Sequence, residues 1–257
     1  MLRRVLYGWA VLALFVHPAI ATVVGPDAFG YTARADTDPG GKPYFWVDVA
    51  AQKNWIFTND DAAGFWLPNS PNSMPSFSFY GETYTEFAPA TNGNLQFATA
   101  DITYMNQALP SYPYPLGPAI LVYWDDLFTT GYFKTFSSSP HPALSGPVTV
   151  FQWEGIYYLL NDPFSAEVLL EHNTGNILMQ CRTTNGGVSA TIGLQEDWSQ
   201  DATFLQYSLN TNVLQNESTV FYSTSSTVPE PSSMVLLGSG ICLVGLAVAR
   251  RKKRLPE

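Results

Sequence analysis

Short runs of aromatic and β-branched residues, broken every few positions by Gly, Pro, Asn or Asp, fill the chain from about residue 44 to 223. That rhythm predicts strands rather than helices. The runs are Tyr44–Val49, Phe77–Tyr80, Thr83–Phe87, Leu95–Thr99, Ile120–Trp124, Tyr132–Thr135, Val148–Trp153, Ala166–Glu171, Ile177–Arg182, Ser189–Leu194, Leu205–Ser208 and Thr219–Ser223. Val168–Glu171 and Ile177–Met179 flank His172-Asn173-Thr174-Gly175-Asn176, a hairpin signal in which Asn and Gly supply the positive φ of a tight loop. Gln52–Phe65 fits no pattern well, and nothing between residues 22 and 228 shows a sustained 3.6-residue period. Pro68–Pro75 and Pro110–Pro118 read as loops, with Tyr and Asn among the prolines. The expected fold is all-β: a jelly-roll-like antiparallel β-sandwich with a long excursion at Pro110–Pro118.

The two ends of the chain follow other patterns. Arg3 and Arg4 precede the mostly apolar Val5–Val16 and a small-x-small site, Ala19-Ile20-Ala21. This reads as a signal peptide over residues 1–21 cleaved near Thr22, or as an uncleaved anchor. At the other end, polar residues 223–233 lead into the uncharged run Met234–Ala249 and then into residues 250–257, which open with Arg250-Arg251-Lys252-Lys253-Arg254. An apolar run of that length spans about 24 Å as a helix, slightly short of a bilayer core of about 30 Å. Snorkelling basic side chains cover the deficit. The basic cluster predicts a membrane stop on the cytoplasmic side, with residues 22–222 as the outer domain. A buried terminal helix is the other reading, and a basic cluster beside it argues against that.

Val228-Pro229-Glu230-Pro231-Ser232, followed by a short apolar segment and a terminal basic cluster, resembles the PEP-CTERM sorting signal, although Leu255-Pro256-Glu257 trails after the cluster. The resemblance implies recognition by an exosortase-type processing enzyme after export through the Sec translocon and trimming by signal peptidase. It implies an inner-membrane-anchored intermediate that ends at the cell surface or outside the cell. Its hosts are typically Gram-negative bacteria that make extracellular polysaccharide or biofilm matrix. The tail carries a route and no activity. A second resemblance rests on Phe79-Tyr80-Gly81-Glu82-Thr83-Tyr84, Thr91-Asn92-Gly93-Asn94-Leu95-Gln96-Phe97, Trp124-Asp125-Asp126-Leu127, Val150-Phe151-Gln152-Trp153, Gly175-Asn176-Ile177, Ala190–Gln195 and Leu205–Ser208. This series is similar to a β-sandwich module of bacterial secreted proteins and, more distantly, of nidogen-type extracellular domains, with Tyr123 in place of the usual Phe. It implies an adhesion or accessory domain without catalytic residues.

Charge narrows the partners. Residues 22–228 hold five basic residues (Arg34, Lys42, Lys53, Lys134 and Arg182) against 19 acidic ones, a net charge near −14. Nucleic acid is excluded as a partner, since phosphate contacts need a basic face. The acidic surface keeps an exported protein soluble or, alternatively, takes up Ca²⁺ through carboxylate oxygens. Trp124, Asp125 and Asp126 are the candidate ligand or cation site: two carboxylates beside aromatic rings, which otherwise tie down loop amides. Asp60-Asp61 and Glu196-Asp197-Trp198 form similar clusters. Of the aromatics, Trp66, Tyr112 and Tyr114 lie among prolines, where exposure as sugar platforms competes with burial in the core. His141 and His172 stand without a catalytic spacing, Cys181 reads as a buried apolar residue, and no nucleophile or zinc motif occurs. The expected function is therefore a non-catalytic surface or matrix protein that binds other cells or extracellular polysaccharide. The alternative is a glycan-acting hydrolase, which needs only a carboxylate pair. Deleting Pro229–Glu257 is expected to release the protein into the periplasm or medium, as read by immunoblotting of cell fractions; unchanged fractionation would refute the sorting signal.

Overall fold

The computed structural model describes residues 23–52, 55–65 and 75–224. The leader, Trp66, most of the Pro68–Pro75 loop, the sorting motif, the apolar tail segment and the basic cluster lie outside the described residues. One sheet contains β1 (Thr32–Ala35), β2 (Trp55–Asn59), β8 (Leu127–Phe136), β9 (Val148–Tyr157), β10 (Pro163–Glu171), β11 (Asn176–Thr183) and β14 (Ser218–Ser223), in the order β1-β14-β11-β10-β9-β8-β2. The second contains β5 (Ala88–Ala90), β6 (Asn94–Gln96), β7 (Ala119–Trp124), β12 (Thr191–Gln195) and β13 (Phe204–Leu209), in the order β13-β12-β7-β6-β5. β3 (Phe77–Phe79) and β4 (Glu82–Tyr84) form a separate hairpin. Every strand pairing is antiparallel, and the only helical element among the described residues is a 3-10 turn at Ala50–Gln52.

The chain is thus an all-β sandwich, with two departures from the expectation. β8 to β11 run as a meander within one sheet, whereas a jelly roll alternates its strands between sheets. Tyr44–Val49 is not a strand. It is an extended strap over the outer face of the larger sheet, and the strands' side chains take up its backbone groups. The Phe45 amide donates to Gln180 Oε1 (2.8 Å), the Val47 amide to Glu167 Oε1 (3.0 Å) and the Val49 amide to Gln152 Oε1 (3.0 Å). Gln180 Nε2 donates back to the Phe45 carbonyl, and Thr219 Oγ1 donates to the Lys42 carbonyl. Those anchors belong to β14, β11, β10 and β9 in turn, and Gln180, Glu167 and Gln152 are register partners. Phe45, Val47 and Val49 thus meet β11, β10 and β9 at every second residue, and because their anchors share one register row the strap runs across the strands rather than along them. Val47 and Val49 then bury Val148, Val150, Leu169, Leu178 and Phe221.

The smaller sheet is covered in the same way. Asp101 to Gly117 runs outward across it and returns, held by Gln96 (Asp101 amide, 2.8 Å), Trp124 Nε1 (Thr103 carbonyl, 2.8 Å), Thr191 Oγ1 (Gln107 carbonyl, 2.7 Å) and Gln206 Oε1 (Leu109 amide, 2.8 Å). Gln195 closes the loop on the Ser111 amide and the Gly117 carbonyl. Leu109 and Leu116 pack on Ala119, Leu121 and Trp124 beneath it. The excursion is longer than Pro110–Pro118, because its covering half begins at Asp101.

Between the sheets, alternate residues of each strand form the main core, including Phe151, Trp153, Val168, Leu170, Ile177, Met179, Ile120, Val122 and Leu194. β7, β9, β10 and β12 are therefore buried on both faces, and their continuous apolar runs have that cause. Cys181 lies in this core, where burial pushes its thiol up to about 12 and leaves it inert.

Glu167 sits between Gln180 and Gln152 in the buried polar row under the strap. It is fully buried, its Oε2 has no hydrogen-bond partner, and burial raises its pKa well above the usual carboxylate range. A carboxyl whose pKa is raised by folding favours the native state while protonated, so stability falls as pH rises above about 4.5. Glu167→Gln keeps the acceptor for Val47 and is expected to remove that slope, read as urea midpoints at pH 5 and pH 8. Glu167→Ala strands the Val47 amide and leaves a cavity, and is expected to cost about 2–4 kcal/mol.

Candidate functional site

Trp124 ends β7 and Leu127 begins β8, so Asp125 and Asp126 form the turn between the sheets. The turn ends the alternation of a strand and sends the two carboxylates different ways. Asp125 is buried. Its Oδ1 accepts from the Asp126 amide (2.9 Å) and its Oδ2 from Ser189 Oγ (2.6 Å), which fastens the β11–β12 loop. Burial raises its pKa to about 6 against the pull of those two donors. Trp124 is fully buried and spends its indole N–H on the Thr103 carbonyl. Two of the three residues singled out by the sequence therefore hold the fold together.

Asp126 has other neighbours. Its carboxyl pKa is raised, first by burial and then by repulsion from Asp60 and Asp61. Asp60 is raised by burial and by Asp61, and Asp61 Oδ1 accepts from Asn92 Nδ2 (2.8 Å). The structure thus joins two acidic clusters more than sixty positions apart in sequence. Among the described residues no group of three or more His, Cys, Asp or Glu side chains is gathered to hold a metal ion.

Next to Asp125, a hydroxyl network fixes the Asn185–Ser189 loop. Tyr157 Oη donates to Tyr123 Oη (2.9 Å), Tyr123 Oη donates to Asn185 Oδ1, and the Gly187 amide donates to Tyr123 Oη (3.0 Å). Burial raises both tyrosine pKa values, so the hydroxyls stay protonated donors. The histidines are equally committed. His141 is buried, with its Nδ1 accepting from the Ala143 amide (3.1 Å) and its Nε2 against the Pro43 carbonyl (3.2 Å), next to the strap. His172 lies between Thr149 Oγ1 (2.8 Å) and the Ser76 carbonyl (3.1 Å). Burial lowers the pKa of both.

The proline-flanked tyrosines separate. Tyr114 is half-buried against Leu109, Leu116 and Trp124. Tyr112 is 48 % exposed, and its ring is parallel to that of Trp198, with centroids 6.0 Å apart and planes within 1°. Ile102, Tyr104 and Met105 are exposed on the same covering segment. Trp198 reaches Tyr112 from the β12–β13 turn, beside Glu196 and Asp197, a pairing that no local sequence pattern encodes.

An all-β sandwich followed by a tail with a sorting motif is an exported β module. The model of the NIDO-related family matches residues 53–236, and the chain belongs to that family. The PEP-CTERM protein-sorting motif matches residues 227–253, which makes the chain an exosortase-sorted protein with a membrane-anchored processing intermediate. No curated protein and no solved structure matches it.

Because its pKa is raised by folding, Asp125 withdraws stability as pH climbs from about 4 to about 6. Asp125→Asn is expected to flatten that interval while Ser189 stays bonded, as read by urea midpoints at pH 4.5 and pH 7. An unchanged slope would place the titration elsewhere.

Proposed function

We propose that the sorted protein is a non-catalytic component of the cell surface or extracellular matrix that associates with extracellular polysaccharide. The observation that carries this reading is the parallel ring pair of exposed Tyr112, on the covering segment, and half-buried Trp198, in the β12–β13 turn. Flat rings present an apolar face to the C–H face of a sugar while a phenolic or indole edge stays wet. Burial of such a pair inside the module would serve packing alone; exposure of Tyr112 leaves it free to meet a chain ligand.

The acidic character of the domain favours neutral or cation-bridged polysaccharide over strongly anionic chains. The non-catalytic reading is supported by Asp125, held by Ser189 and the Asp126 amide, and by histidines committed to backbone and hydroxyl partners.

Affinity electrophoresis through gels containing the host's polysaccharide is expected to retard the outer domain. Tyr112→Ala with Trp198→Ala is expected to weaken retention at least about tenfold, the loss that follows when buried aromatic anchors are truncated. Equal retention of the double variant would refute this face, and shortening of the polysaccharide during incubation would favour the glycan hydrolase.

A further inference from the structure

The two ends of the sandwich have different chemistry. Ser223 closes β14 opposite Thr32, and Tyr222 pairs with Ile177 beside the Glu171–Asn176 turn, so the chain leaves the domain toward its sorting tail at that end. The register places the β7–β8 turn, the β9–β10 turn and the end of β2 together at the opposite end. The loops there are residues 36–41, 59–65, 125–126, 158–162, 184–190 and 210–217. They hold eight acidic residues and no lysine or arginine. Arg182, at the end of β11, is engaged by Glu154 and lies 4.4 Å from the Trp46 ring centroid.

From this acidic end projects the β9–β10 loop. Leu159 is 84 % exposed, Leu160 61 % and Tyr158 50 %, with Phe128 exposed at its base. The loop is a fixed structure. The Tyr157 amide donates to the Asp162 carbonyl (3.0 Å), the Asn161 amide to the Tyr157 carbonyl (2.9 Å) and the Tyr158 amide to the Asp126 carbonyl (3.1 Å). Asn161 takes the left-handed conformation, φ 59°, that closes the turn. Two leucines are therefore presented to water on a preorganised backbone next to Asp126, Asp60 and Asp61. Preorganisation lowers the entropy lost on binding.

We propose that this far end docks a second protein whose surface offers an apolar pocket rimmed by lysine or arginine. Charge selects that occupant. A second copy would set one acidic cluster against another, and an anionic bilayer would be repelled in the same way. Leucine side chains give a sugar no flat face. The tether leaves from the other end, so the tip stays accessible while the tail is anchored. The inference is independent of the polysaccharide reading, which concerns Tyr112 and Trp198.

The test places the photo-cross-linker p-benzoylphenylalanine at Leu159 in the full-length protein produced by its own host, with the exposed Phe45 position as control. The expected result is one discrete protein adduct at Leu159 and none at Phe45. The adduct should disappear in the Asp60→Asn/Asp61→Asn/Asp126→Asn variant and when cells are irradiated in 1 M salt, which screens charge beyond about 3 Å. Its cross-linked peptide should carry Lys or Arg beside apolar residues. Absence of an adduct, an adduct with a second copy or with lipid, or an adduct indifferent to the acid substitutions and to salt would each overturn the proposal.

Discussion

The row Gln180–Glu167–Gln152 determines how the larger sheet meets the solvent. Each side chain offers an oxygen to one amide of an extended segment that has no strand partner. A backbone lying on an apolar face must satisfy its N–H and C=O groups there or lose about 1–3 kcal/mol for each group left unpaired. Polar side chains at three adjacent register positions meet that demand, and the apolar neighbours Val150, Leu169 and Leu178 are covered as a result. Remove the row and the amides of Phe45, Val47 and Val49 lose their acceptors, which loosens the cover over the outer apolar surface.

The same solution recurs on the smaller sheet with different residues. Gln96, Thr191, Gln195 and Gln206 hold a longer covering segment over Leu121 and Trp124. The domain is layered: strap, sheet, core, sheet, strap. Both sheets can then carry apolar residues on both faces without exposing a face on which copies would stack. The longest runs of exposed apolar groups lie on the outer side of the second covering segment (Ile102, Tyr104 and Met105) and at the β9–β10 tip (Tyr158, Leu159 and Leu160).

Eleven of the twelve strands expected from alternation exist, because aromatic and β-branched runs bounded by turn residues describe a pleated, buried surface whatever the topology. Tyr44–Val49 has the same composition and fails as a strand: its partners are side chains, and periodicity records which residues are buried, not what takes their hydrogen bonds. Three strands lie outside the expected runs: β2 falls in the patternless Gln52–Phe65, and β1 and β5 are missed for the reverse reason. Thr32–Ala35 carries a buried arginine and Ala88–Ala90 a proline, so neither resembles a strand in isolation. At the site, Asp125 and Asp126 were legible as a pair but their divergence was not. It depends on the turn between sheets and on Ser189 and Asp60, which only the fold brings near. The sorting tail was legible in full because its signal is linear: triplet, apolar run and basic cluster in order.

The position of β14 links the module to its tail. The last strand in sequence lies inside the sheet, between β1 and β11, and it is the only strand that pairs with β1 among the described residues. A chain broken before residue 218 leaves Thr32–Ala35 without its strand partner and Ile177, Leu178 and Met179 paired on the β10 side alone. Completion of the domain is therefore deferred until the residues just ahead of the sorting motif have been made. A product truncated before residue 218 therefore lacks both its sorting signal and the strand that closes its sheet.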